Sequence, residues 1–138
     1  MIALVTNNQF NAYCIDCYQR QSTHANISYG TFICEVCAQI HLTMFGMQKH
    51  YIKEIFSEFW DPHQLNVATR GGNKYFFEHC KRIGMEGQGI EIGHKYGHPG
   101  VKKHKKNLIA NVMGKAVKIT AKKPVPTSSN QTAAPKPA

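Results

Sequence analysis

Two pairs of cysteines, Cys14-x-x-Cys17 and Cys34-x-x-Cys37, stand sixteen residues apart, and no other feature limits the fold as tightly. A Cys-x-x-Cys loop turns two thiolates toward one point, and four thiolates satisfy a tetrahedral Zn²⁺. The spacing is that of a zinc ribbon or treble-clef site. Two unrelated reduced pairs or two disulfides are the alternatives, and four cysteines could also hold iron. A closed four-cysteine site leaves no open coordination position, so one zinc ion bound by Cys14, Cys17, Cys34 and Cys37 builds structure and performs no chemistry.

A chain of 138 residues has room for one domain, placed at 1–113, followed by a basic low-complexity tail at 114–138 in which Lys, Ala, Pro, Ser and Thr dominate. Composition of that kind is disordered in isolation. In so small a core a metal matters: structural zinc binding is worth ~10–16 kcal/mol against a net domain stability of ~5–15 kcal/mol. Cys80, far from the other four and within a helical pattern, reads as a buried thiol. No secretory signal or apolar membrane span is visible, which predicts an intracellular protein, cytoplasmic or peripheral on a membrane, an organellar complex such as a mitochondrial one included.

Seventeen Lys and Arg against eight Asp and Glu give a formal charge of +9. The excess lies late in the chain: nine lysines and no acidic residue fall between Lys95 and Lys123. This part suits an acidic protein surface or an anionic membrane. A nucleic acid ranks last, because the lysines are remote in sequence from the zinc knuckles.

The pattern between the cysteine pairs, Ile27 to Ile33, reads as short strands broken at Gly30. After Cys34 the period changes, and Val36, Ile40 and Met44 share one arc of a helix ending near Gly46, with Leu42 on the opposite, exposed side. The stretch 49–59 includes a further strand. Asp61, Pro62 and Gln64 form an N-cap, a first-turn proline and a capping box, with Trp60 placed to pack on Leu65. Arg70-Gly71-Gly72 closes that helix; Asn73 is placed as the cap of the next, whose inner face holds Phe76, Cys80 and Ile83. The glycine-rich stretch 85–100 reads as a loop without a conformation of its own. A last helix over about 101–113 turns Val101, Leu108, Ile109 and Val112 inward.

Taken together these residues resemble the ArfGAP zinc-finger family, the GTPase-activating proteins for Arf-type small GTPases. The resemblance rests on the cysteine spacing, on His41 four residues past Cys37, on Trp60 followed eleven residues later by Gly71-Gly72-Asn73, and on Lys95-Tyr96 ahead of the lysine-rich stretch from Lys102 to Leu108. It covers about residues 8–113. It implies a small α+β fold in which helices surround a central antiparallel sheet carrying the zinc site.

The departures bear on activity. The family's catalytic arginine follows that histidine directly, and here the position is Leu42. An arginine finger sets a fixed charge against the charge that develops in phosphoryl transfer and is worth about 10³–10⁵ in rate, which leucine cannot supply. A family tryptophan between the knuckles is replaced by His24, and one residue is inserted between His41 and Lys53. Lys49 and Lys53, read as lying in this rebuilt loop, are imperfect substitutes for a planar guanidinium. His41 is read as a contact to the metal site or a packing histidine. The resemblance therefore implies a relative without catalytic residues, a binding or structural module joined to a protein partner in a larger complex. Leu42, Lys49, Lys53 and Trp60 are the candidate contact residues. The alternatives are an active activator of an Arf-like GTPase and a basic zinc-ribbon nucleic-acid binder.

Overall fold

The computed structural model describes residues 2–56, 59–87 and 89–114; the tail at 115–138 lies outside them. The chain divides into two units, Met1–Lys105 and Lys106–Ala138, and every site residue described below belongs to the first. The elements in order are α1 (Ile2–Thr6), β1 (His24–Asn26), β2 (Thr31–Ile33), α2 (Glu35–Phe45), β3 (Ile52–Glu54), α3 (Pro62–Arg70), α4 (Asn73–Arg82), α5 (Ile92–Gly97) and α6 (Pro99–Val112). It is an α+β arrangement with one antiparallel sheet, ordered β2-β1-β3.

In that sheet Ala25 pairs with Phe32 on one side and Lys53 on the other. The strands begin at His24, earlier than the alternation suggests, and residues 27–30 form the turn between β1 and β2, with Gly30 at φ 68°. Lys53 is a strand residue that is only 8% exposed, which corrects its placement in a solvated loop.

The capping box of α3 forms as expected, with Gln64 N–H donating to Asp61 Oδ1 at 2.8 Å and Asp61 N–H to Gln64 Oε1 at 3.0 Å. Gly71 then passes so close to the β1–β2 turn that a Cβ there would lie 3.0 Å from Gly30 O, while Gly72 at φ 94° donates its N–H to the same oxygen at 2.7 Å. Neither position accepts a side chain without strain. Asn73 does not cap α4 as the sequence suggested; Gly72 occupies the cap position. The Asn73 side chain instead turns inward, donating Nδ2 to the carbonyls of Phe10, Tyr13 and Phe32 and accepting from Phe32 N–H at 2.7 Å. A buried polar side chain must find partners, and Asn73 finds them by lashing α4 to β2 and to the chain entering the first knuckle.

Val36, Ile40 and Met44 are 46, 37 and 50% exposed, whereas Cys37, Ala38 and His41 are buried and Leu42 packs half-buried against the core. The cysteines set this rotation: with Cys34 and Cys37 turned toward Cys14 and Cys17, Ala38 and His41 face inward beside them, whatever the apolar periodicity favours. The stretch 85–100, read as a loop, contains α5 with Lys95 and Tyr96 wholly buried. Tyr96 stacks on Phe76 at 5.8 Å and meets Tyr29 edge-on at 5.0 Å, so aromatic packing with α4 and the β1–β2 turn orders a segment whose glycines disfavour order by themselves. Cys80 is a buried core thiol, as expected.

Candidate zinc centre and the face beside it

The first knuckle is closed by hydrogen bonds from Cys14 N–H to Arg20 O at 2.9 Å and from Tyr18 N–H to Cys14 O at 3.0 Å. Tyr18 takes a positive φ of 58°, a conformation of the tight turn that folds Cys17 back on Cys14. The second knuckle is the N-terminus of α2, where Cys34 is the cap and its Sγ accepts from Cys37 N–H at 3.4 Å. Helix N-termini favour negative charge, which suits a thiolate.

The sulfurs of Cys14, Cys17, Cys34 and Cys37 all lie within 4.8 Å of one another. Tetrahedral zinc with bonds of about 2.3 Å spaces its sulfurs about 3.8 Å apart, and Cys17 Sγ and Cys34 Sγ are 3.8 Å apart. A disulfide would need about 2.05 Å, and all five cysteines are free. The donor set therefore fits one zinc ion. A hydrogen bond from the Cys37 thiol lowers Cys14 to about 5, while Cys37 itself rises through that bond and through burial. A metal bound here would have to expel the remaining thiol protons.

Asp16, inside the first knuckle, was not singled out in the sequence, yet it is the polar centre of the domain. Its Oδ2 accepts from His41 Nε2 at 2.7 Å, and its Oδ1 accepts from Lys95 Nζ at 3.1 Å and Tyr96 OH at 2.8 Å. Burial raises its pKa, but the His41 hydrogen bond and the Lys95 charge outweigh that and hold it at about 2. Asp16 raises Lys95 against the opposing effect of burial, and burial together with the same carboxylate pushes Tyr96 well up. His41 is thereby placed as a packing histidine that reaches the metal knuckle through Asp16. On its far side His41 Nδ1 meets His50 Nδ1 at 2.9 Å and Asn26 Nδ2 at 3.1 Å. Burial, with the charges of His41 and Lys105, lowers His50 to about 3.

The remaining site residues separate. Trp60 is 8% exposed and donates Nε1–H to Glu54 O at 3.2 Å; the Lys53 ammonium lies 6.0 Å from its ring centroid. Lys49 is exposed in the turn after α2. Beside the knuckles α2 leaves Ile40 and Met44 on an open cavity of about 550 Å³ that also touches Cys17, Cys37, Ile90 and Ile92.

Four convergent thiolates on two knuckles, one of them a helix start, define a zinc-binding α+β domain. A family model described as "Putative GTPase activating protein for Arf" matches residues 1–111, and the chain belongs to this ArfGap family. Among the solved structures to which the chain is similar are two. One is a "putative GTPase activating protein for ADP ribosylation factor" from Cryptosporidium parvum, 23% identical, with TM-score 0.67 over 80% of this chain and 87% of that one. The other is the ArfGap domain of human RIP, 20% identical, with TM-score 0.52 over 78% of this chain and 82% of that one. At these identities the likeness concerns the fold.

Proposed function

We propose that this zinc-binding ArfGap-family protein lacks GTPase-activating activity and serves as a binding module, engaging a protein partner within a larger intracellular assembly, in the cytoplasm, peripheral on a membrane or in an organelle. The observation that carries the reading is Leu42. It stands where the family's finger arginine would stand, and its side chain packs half-buried against the core. A finger must reach out of its own domain with a charge; an apolar side chain tucked beneath α2 does neither. The missing contribution, about 10³–10⁵ in rate, corresponds to roughly 4–7 kcal/mol of transition-state stabilisation.

Lys53 does not make up the loss, because β3 holds it buried beside Trp60. Lys49 is exposed just beyond the helix that carries Leu42, and this favours the second reading, an activator of an Arf-like GTPase that uses lysine as its cation. The name of the Cryptosporidium relative makes ADP-ribosylation factors the first GTPases to test. The lysine-rich C-terminal part supplies a surface for an acidic partner or an anionic membrane.

Leu42→Arg tests the reading. An arginine at this position must leave the core side of α2 and enter a face whose following turn is rebuilt, so the variant is expected to leave single-turnover GTP hydrolysis by Arf-type GTPases unchanged. Acceleration of a hundredfold or more by Leu42→Arg would mean that the docking geometry is intact and that only a charge is missing, against the assignment of this face to a different contact.

A further inference from the structure

Two parts of the chain far apart in sequence meet where Lys105 reaches the turn that carries Lys49. Lys49 lies in the turn after α2, and Lys102 and Lys105 lie one turn apart on α6. Lys105 Nζ donates to the backbone carbonyl of Lys49 at 3.0 Å and sits 5.6 Å from the centroid of the Tyr29 ring. The turn it grips is itself fixed, since the N–H groups of Lys49 and His50 both donate to Gly46 O, at 3.3 and 3.0 Å. The Lys105 ammonium is therefore held in place, and among the described residues the bond to Lys49 O uses one of its three hydrogens.

The electrostatics of the place agree with this geometry. Burial and then the charges of Lys49 and Lys102 all push the Lys105 pKa down. The buried ring of His50 feels the same field, from Lys105 and Lys49. Like charges drawn together repel, and a bound anion would relieve the repulsion. The chemistry of the donors narrows the choice of anion. Ammonium groups are compact point charges with rotatable donors, unlike the planar fork that matches a carboxylate. Three of them complement a group with three free oxygens and up to two negative charges. A phosphodiester offers two free oxygens and one charge.

We propose that Lys49, Lys102 and Lys105 form a binding site for a phosphomonoester, carried by a phosphorylated lipid headgroup or by a free polyphosphate. This goes beyond the general basic character of the C-terminal part, because it joins Lys49 to α6 at a defined point, and it stands whether or not the protein accelerates GTP hydrolysis.

The test uses the zinc-loaded full chain. Binding of inositol trisphosphate is measured by calorimetry, and binding to phosphatidylcholine vesicles with and without phosphatidylinositol bisphosphate by sedimentation. Lys49→Ala with Lys102→Ala removes two exposed lysines of the site; Lys74→Ala with Lys81→Ala removes the same charge from exposed positions on α4. The site variant is expected to lose at least about tenfold in affinity, the scale of a lost charge-assisted hydrogen bond, and the α4 variant less than about threefold. Site-dependent binding of the trisphosphate without preference for the bisphosphate vesicles assigns the site to a free polyphosphate; site-dependent preference for those vesicles assigns it to the headgroup. Equal losses in the two variants, no binding of either probe, or tighter binding of a single-stranded RNA oligonucleotide than of the trisphosphate would overturn the proposal.

Discussion

Replacing Asp16 by asparagine keeps the shape of the side chain and removes its charge, which isolates what the buried carboxylate does. Asp16 accepts from three donors at 2.7, 2.8 and 3.1 Å, and it and Lys95 are each 2% exposed in the side chain. The amide would turn an NH₂ group toward at least one of these donors and leave the Lys95 ammonium without its anion. Breaking a buried ion pair from one side costs about 3–5 kcal/mol, a large share of a net stability of roughly 5–15 kcal/mol. The chain's single tryptophan, Trp60, is buried, so its fluorescence reports unfolding by urea in zinc-containing buffer. Lys95→Met completes the cycle. Removing the charge from both partners spares the double variant an unpaired buried ion, so a coupling of roughly 2 kcal/mol is expected. A cost below about 1 kcal/mol for Asp16→Asn, or single costs that add to within about 0.5 kcal/mol, would refute the assignment of Asp16 as the polar centre of the fold.

Metal analysis is expected to find one zinc per chain, and a chelator or serine at any of Cys14, Cys17, Cys34 and Cys37 to unfold the domain, because zinc binding at ~10–16 kcal/mol exceeds the stability of most domains; a chelated protein with unchanged near-ultraviolet dichroism would contradict this. Stability should also fall with acidification below about pH 6.5. His50 and His104 are held down to about 3 and 4, first by burial, so the unfolded chain takes up protons that the folded chain refuses. Each histidine contributes a loss of up to about 1.4 kcal/mol per pH unit between its unfolded and folded values. His104→Phe should flatten part of that slope, with zinc content followed in parallel; equal stability at about pH 7 and about pH 5 would count against it.

Much of the zinc centre was legible because ligand spacing is local: Cys14, Cys17, Cys34 and Cys37 announce the geometry that brings their sulfurs together. Capping is local too, and Asp61 and Gln64 behave as written. What the sequence concealed depends on distant partners. The face of α2 follows from where Cys34 and Cys37 meet Cys14 and Cys17, so Val36, Ile40 and Met44 turn outward and Leu42 inward against their periodicity. Lys95 and Tyr96 order a glycine-rich stretch because distant partners receive them: Phe76 and Tyr29 against the Tyr96 ring, and Asp16, some eighty residues earlier, beneath both. Asn73 resembles a cap from its neighbours and acts as a bracket because Phe10, Tyr13 and Phe32 surround it. Asp16 itself carried one weak signal, a carboxylate inside a knuckle, and nothing nearby marks its partners.

Single-turnover GTP hydrolysis tests the functional reading most directly: a panel of Arf-type GTPases preloaded with GTP, with and without a saturating concentration of the zinc-loaded chain. With Leu42 at the finger position and packed against the core, the rates are expected to agree within about threefold, since the arginine's 10³–10⁵ contribution has no source. Acceleration approaching a thousandfold for any member of the panel would contradict the reading, and its loss in Lys49→Ala would identify the cation that stands in for the finger.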